Sequence, residues 1–216
     1  MNEDLSSQRQ SYERTSLSKA QLPDNPLELF RDWYLAAKDE PNIREANAMS
    51  LSTFGLDGFP KTRVVLLKRY SWEGFTFFSH YNSEKGLALE AHPKACLSFF
   101  WPALEQQIII KGEVEKGSEN LSDGYFESRP RGSQLGAWAS EQSQIVESKA
   151  VLEERLKALE AQFEGQDIPR PKHWGGYILK PQEMEFWQGR PNRMHDRIRY
   201  QLQHPSLHWI KTRLNP

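Results

Sequence analysis

Three clusters of side chains in this sequence have the types and spacing to hold an anion. The first is Arg63-Val64-Val65-Leu66-Leu67-Lys68. Alternate residues of a strand face opposite sides, so Arg63 and Lys68 are predicted on opposite faces, each beside aliphatic neighbours. Such a pair could reach two different anions. It reads equally as two strand-end charges whose stems cover apolar surface while their heads stay in water. The second cluster runs from Tyr125 to Ser143, YFESRPRGSQLGAWASEQS. Tyr125 and Arg129 are four apart and share a face if the segment is helical. Pro130 ends that turn and Ser133 follows, so a phenol, a guanidinium and a hydroxyl could converge on one phosphate. Arg suits phosphate because its planar fork donates parallel hydrogen bonds; a solvated helix end is the alternative. The third is WQGRPNRMHDR, Trp187 to Arg197. Here Arg193, His195 and Arg197 are predicted on one strand face, with Met194 and Ile198 on the other. Three potentially cationic groups in line are unfavourable in a partly buried site unless an anion or an electron-rich ring offsets them. An exposed cationic face is the alternative, and a lone His between arginines offers no metal ligand set.

Absences narrow the chemistry. The sequence has no GxGxxG, no GxxxxGK[ST], no HExxH, no CxxC and no GxSxG. Neither a dinucleotide fold, a P-loop, a zinc hydrolase nor a serine hydrolase is signalled. A phosphate-bearing ligand would have to be gripped by side chains, mainly Arg, Lys, Ser and Tyr. The formal net charge of −1 gives no global basic field to draw the chain to nucleic acid. No apolar run is long enough to cross a membrane as a helix, and the polar start MNEDLSSQRQ lacks the layout of a signal peptide. The single Cys96, in ACLSFF, cannot form an internal disulfide and is expected in the core. These features together predict a cytoplasmic protein with no membrane or nucleic-acid partner.

The elements that must position the three clusters follow from periodicity. Residues 1–22 are polar and without period, and are expected to be a flexible segment. Residues 23–216 are expected to form a single domain. Asn25-Pro26 opens a helix, with Asn as cap, Pro in the first turn and Glu28 close behind; Leu29, Phe30, Trp33, Ala36 and Ala37 fall on its apolar face. Strands are predicted from Met49, through KTRVVLLKRY as one unit, in FTFFS, ACLSFFW and QQIIIKGEVEK, and then in GGYILK, EMEFWQ, RMHDRIRYQ and HWIKTRL. Helices are predicted around 83–91, near 118–127 and from Ser148 to Phe163, with Gly165 ending the last. About eight short strands with helices inserted between groups predict a mainly β fold, an antiparallel barrel with peripheral α-helices.

Read together, RVVLLK, YFxSRPRxSQxGAW, Gln142-Ser143, the Trp174-Gly175-Gly176 run, and EFWQG followed by RxHDR resemble the pyridoxine/pyridoxamine 5′-phosphate oxidase family. The resemblance covers nearly the whole chain, from about Leu22 to Pro216. It implies an FMN-binding split β-barrel that forms a homodimer, with two FMN sites in the subunit interface. It also implies oxidation of pyridoxine or pyridoxamine 5′-phosphate to pyridoxal 5′-phosphate with O2, releasing hydrogen peroxide, and ammonia from the amine.

By the same resemblance, the segment Arg63, Val64, Val65, Leu66, Leu67 and Lys68 runs along the FMN, with Arg63 near its phosphate. Phe78, Ser79, Lys85, Gln107, Gln142, Ser143, Trp187 and Arg197 match further flavin-side positions. Lys68, Tyr125, Arg129 and Ser133 match the substrate-phosphate set, and Arg193 and His195 match catalytic residues at the substrate ring. Arg9 and Tyr12 correspond to a segment that covers the substrate. Where members of the family usually carry a basic residue before Lys85, this chain has Glu84, whose carboxylate would oppose FMN binding unless it turns outward. Two other readings share these residues: a split-barrel flavoprotein with a different substrate, and a non-catalytic binder of flavin or pyridoxal phosphate.

Overall fold

The structure, a computed structural model, describes residues 3–7 and 11–216, so Arg9 lies outside the described residues. Among these, five α-helices and nine strands occur in the order α1 (Pro26–Asp39), β1 (Ala48–Phe54), β2 (Pro60–Leu66), β3 (Arg69–Ser71), β4 (Gly74–His80), α2 (Glu84–Ala91), β5 (Lys94–Trp101), β6 (Gln106–Lys116), α3 (Glu119–Glu127), α4 (Arg131–Ala139), α5 (Lys149–Gln162), β7 (Trp174–Gln188), β8 (Asp196–Gln203) and β9 (His208–Leu214). The strands form one sheet in the order β2-β1-β5-β6-β7-β4-β3, with β8 pairing β7 and β9 pairing β8. The fold is mainly β, as its alternating sequence pattern predicts.

The chain divides into two compact units. One comprises Met1–Met49, Leu97–Lys111 and Pro181–Pro216; the other comprises Ser50–Cys96 and Gly112–Lys180. In the first, Asn25 caps α1 by accepting a hydrogen bond from the Leu27 N–H, and Pro26 opens the helix where a missing N–H costs nothing. The helix buries Leu29, Phe30, Trp33 and Ala37, while Ala36 stays exposed, so the apolar stripe is narrower than the sequence predicts. Phe30 meets Phe99 edge-on at 5.4 Å and Trp33 meets Phe186 at 5.4 Å. The Tyr200 hydroxyl donates to the Pro23 carbonyl at 2.9 Å, which satisfies this polar atom of the aromatic layer.

In the second unit, β4 is buried along nearly its full length and pairs antiparallel with the first half of β7, Phe75 opposite Leu179 and His80 opposite Trp174. The sequence reads GGYILK and EMEFWQ as separate strands, but they are one strand of 15 residues. Pro181 sits between the stretch that pairs with β4 and the stretch, Glu183 to Gln188, that pairs with β8. A residue without an N–H is tolerated there because the hydrogen-bonding partner is changing. KTRVVLLKRY is, conversely, two strands: the ladder breaks after Leu66, and the Lys68 N–H bonds to the Thr76 carbonyl at 2.9 Å as β3 begins. Cys96 is half-buried, not a full core residue, because it shares a β5 face with Lys94, Ser98 and Phe100, none of which is buried, while Ala95, Leu97, Phe99 and Trp101 fill the buried face. The reading of residues 1–22 as flexible and of the remainder as one domain stays an expectation.

Candidate active site

The second unit holds a cavity of about 880 Å³ whose lining includes Arg63, Lys68, Lys85 and Arg129 and no carboxylate. Each cation is brought there by a different local device. Arg63, on β2, is anchored by donating to the Leu51 carbonyl at 3.2 Å and to the Thr53 hydroxyl at 2.7 Å. Lys85 follows the Ser83 cap of α2, where the Ser83 hydroxyl accepts from the Gly86 N–H and donates to the His80 carbonyl. That geometry turns Lys85 inward to 8% exposure, with its Nζ 2.6 Å from Gln142 Oε1. The Ser79 hydroxyl donates to the same oxygen at 3.3 Å. Burial, and then the nearby Arg63, pull the Lys85 amine down to about 8.

Arg129 lies just past α3, its N–H bonded to the Phe126 carbonyl and its guanidinium 4.6 Å from the centroid of Trp174. Its Nη1 is buried and has no hydrogen-bond partner among the described residues. A buried guanidinium nitrogen without an acceptor is costly unless a ligand supplies one. Burial holds Arg129 and Arg63 below the usual guanidinium range. Beside Arg129, the rings of Phe78, Tyr125 and Trp174 lie nearly parallel: Phe78 to Tyr125 is 3.9 Å and Phe78 to Trp174 is 5.5 Å. Lys68 Nζ stands 6.0 Å from the Tyr125 centroid. The floor is backed by Phe126, Leu135, Ala137, Phe163 and Ile168. The cavity is therefore a flat apolar wall ringed by cations, suited to a planar ring that carries phosphate.

Of the predicted residues, Val64, Val65, Leu66, Phe78, Ser79, Tyr125, Ser133 and Gln142 also line this cavity. Leu67 is buried and is not part of the lining. Ser143, at φ 75°, lines the adjoining recess instead. The sequence missed His80, Pro130, Gly136, Ala137, Ser140 and Trp174 as lining residues. His80 could have been found, since it ends the β4 pattern two residues after Phe78. Burial first, and then His173, Lys85 and Arg129, depress its imidazole to about 4, so it is neutral at physiological pH. Gly136, Ala137 and Ser140 belong to or cap α4, a helix that the sequence reading did not predict.

The first unit holds the remaining predicted residues, and here the strand reading is corrected. Arg193 and His195 are not on a strand; β8 begins only at Asp196. Asn192 and Arg193 adopt φ of 55° and 61°, two consecutive left-handed residues that break any strand period. Arg193 and Met194 are exposed while Ile198 is buried, so Met194 and Ile198 do not share an inward face. Before this turn the chain is pinned: the buried Gln188 donates to the Leu104 and Glu105 carbonyls, and the Gly189 N–H bonds to the Glu105 carbonyl at 2.7 Å.

His195 lies against Trp187, with centroids 4.7 Å apart, and its Nδ1 accepts from the Arg190 N–H at 3.1 Å. With Nδ1 accepting, the neutral ring carries its proton on Nε2 and presents it as a donor. Tyr12 packs edge-on against both Trp187 and His195, at 5.7 and 5.9 Å. Arg197 donates to Glu185 at 2.8 Å and to the Asn215 carbonyl at 3.0 Å; the Glu185 hydrogen bond holds its guanidinium above the usual range. Gln107 is half-buried on β6. None of these first-unit residues lines the cavity described above.

Comparison with known proteins adds the following. Residues 35–163 match the family described as Pyridoxamine 5′-phosphate oxidase, and residues 174–216 match the Pyridoxine 5′-phosphate oxidase C-terminal dimerisation region. The chain is similar to the pyridoxine/pyridoxamine 5′-phosphate oxidase of Flavobacterium psychrophilum, at 57% identity over 213 residues and 99% of each chain. It is also similar to that of Christiangramia forsetii, at 51% identity over the full length of both. Among solved structures it resembles PhzG from Burkholderia lata 383, in complex with tetrahydrophenazine-1-carboxylic acid, with a TM-score of 0.84 and 31% identity over 91% of this chain and 95% of that one. A pyridoxamine 5′-phosphate oxidase-related, FMN-binding protein from Nostoc punctiforme matches with a TM-score of 0.70 over 89% of this chain and 98% of that one; at 13% identity that likeness speaks for the fold alone. The fold is that of the split-barrel class the motifs led us to expect.

Proposed function

Since this chain belongs to the pyridoxine/pyridoxamine 5′-phosphate oxidase family, we propose that it oxidises pyridoxine 5′-phosphate or pyridoxamine 5′-phosphate to pyridoxal 5′-phosphate, with FMN as cofactor. Molecular oxygen is the acceptor and hydrogen peroxide the second product, with ammonia released from the amine. The observation that carries this reading is the carboxylate-free cavity with four cations and an unpartnered, buried Arg129 Nη1. Two phosphate-bearing ring systems are what such a wall and such charges fit. The match of residues 174–216 to a dimerisation region supports a homodimer, with FMN sites in the subunit interface.

The donor set fits FMN. Arg63 and Lys85 would hold its phosphate, with Ser79, Gln142 and Ser143 as neutral partners, while Val64, Val65, Leu66 and Phe78 would line its ring. Gln107, Trp187 and Arg197 would be further flavin-side residues by the family resemblance. When bound, FMN supplies the hydride acceptor that no amino-acid side chain can replace. Lys68, Tyr125, Arg129 and Ser133 bind the substrate phosphate; the guanidinium fork gives direction as well as charge. Arg193 positions the substrate ring, and the Nε2–H of His195 donates to a substituent at the reacting carbon. Tyr12 covers His195 and Trp187 and keeps water from them.

Aerobic turnover tests the reading: purified protein, added FMN and pyridoxine 5′-phosphate, with aldehyde and peroxide followed together. Equal accumulation of both is expected. Bound FMN with no product would overturn the substrate assignment in favour of a split-barrel flavoprotein acting elsewhere. Retention of pyridoxal phosphate without oxygen uptake would point to a carrier.

A further inference from the structure

Glu84 and Lys85 are neighbours in sequence with opposite surroundings. Both stand in the first turn of α2, where successive side chains diverge by about 100°. Lys85 is buried and faces the cavity, while Glu84 is about half exposed and lines the adjoining recess with Asp57, Lys61 and Leu87. Lys61 reaches across that recess from β2. Its Nζ pairs with Asp57 Oδ2 at 2.9 Å and with Glu84 Oε1 in a short hydrogen bond. Lys61 stands two residues before Arg63, on the same strand face, so the tether is built beside the cations of the cavity. The charge of Glu84 acts on both Arg63 and Lys85, in each case favouring their protonated forms.

We propose that Lys61 is a positioning residue for anion binding: it holds the Glu84 carboxylate in the recess and offsets its charge, so that Arg63 and Lys85 remain available to a phosphate. This rests on the reading that these two cations hold the FMN phosphate. A carboxylate at this position acts against a bound dianion through simple repulsion, and without Lys61 it would be free to turn toward Arg63 or Lys85 and compete with the ligand. The pair is too exposed to matter much to folding; its consequence is local and electrostatic. Asp57 fixes the other side of the Lys61 amine, which keeps the tether on the recess side.

The test is FMN affinity, read by quenching of flavin fluorescence, for the wild-type protein and for K61M, E84Q and K61M/E84Q, at about 20 mM and about 0.5 M NaCl. K61M is expected to bind FMN about three- to tenfold more weakly at low salt, with the deficit shrinking at high salt. E84Q should bind at least as tightly as wild type, and the double variant should return to within about twofold of it. Restoration by E84Q separates this role from a structural one, which a second substitution would not repair. Equal affinity of K61M and wild type, or a deficit that persists unchanged in the double variant, overturns the proposal. Weaker binding by E84Q alone overturns it too. If none of the four proteins binds FMN, it is the cofactor assignment that fails; if all four bind alike, that assignment stands and only the role of Lys61 falls.

Discussion

The Lys85 amine lies 2.6 Å from the side-chain oxygen of Gln142, 57 residues further along the chain. The contact ties the first turn of α2 to the segment after α4 and fixes a buried ammonium at the wall of the cavity.

The protonation of Lys85 gives flavin binding a pH dependence. The amine is charged below about 8, and a phosphate beside it favours that form, so binding takes up a proton above this value. FMN affinity should be greatest below about pH 8 and fall above it, by up to about tenfold per pH unit. Stability of the flavin-free protein should move the other way. The folded pKa lies below the ordinary 10.5, so the cost of burying the charge is fully present below about 8 and is relieved as pH rises toward 10.5. Flavin titrations from pH 6 to about 10 check the first slope, and urea melts over the same range check the second. A flat affinity profile would remove Lys85 from the phosphate site.

Arg129→Ala should raise KM for the phosphorylated substrate about ten- to a hundredfold, the cost of one charge-assisted contact of about 1.5–3 kcal/mol. FMN affinity should change much less. Arg129→Lys should recover little, since a lysine restores neither the fork nor the guanidinium's contact with Trp174. Steady-state kinetics with flavin titration decide it; an unchanged KM would remove Arg129 from the substrate site.

Arg193→Ala and His195→Ala should each lower kcat, by about a hundredfold for Arg193 if positioning is its role, with FMN still bound. The turn that carries both residues is exposed at Arg193, and its backbone is held by the Arg190 N–H bond to His195 Nδ1. Neither change should lower Tm by more than a few degrees. Normal turnover in both variants would leave the third cluster without a catalytic part.

Gly189→Ala tests the cover over His195. A Cβ at this position would stand 2.7 Å from Tyr12 Cγ and 2.8 Å from Tyr12 Cβ, with Glu105 Cβ at 3.1 Å. Tyr12 must then leave its place against Trp187 and His195. A KM rise of roughly three- to tenfold is expected, with a stability loss of about 1–3 kcal/mol from overpacking. Kinetics and a thermal melt read the two effects separately, and an unchanged KM would deny Tyr12 a part in binding.

The local elements were legible because their signals are local. Asn25-Pro26 starts α1 where the sequence says it should, Ser83 caps α2, and the aromatic-rich run FTFFS gives β4. The apolar repeat after Ser148 gives α5. The absence of any glycine-rich phosphate loop already required that a phosphate be gripped by Arg, Lys, Ser and Tyr, and the cavity is lined with those types.

What periodicity could not give is convergence, and it misread elements whose local signals conflict with their packing. α4 carries two glycines behind a proline and is helical all the same, because Leu135 and Ala137 pack with Phe126, Phe163 and Trp174. Arg193 leaves the strand pattern because two left-handed residues turn the chain ahead of β8. The sequence by itself determined which residue types could hold a phosphate and most, though not all, of the segments that are helix or strand. Only the tertiary structure decided that Glu84 turns to Lys61 while Lys85 turns inward, because burial and ion pairing depend on neighbours that are distant in sequence.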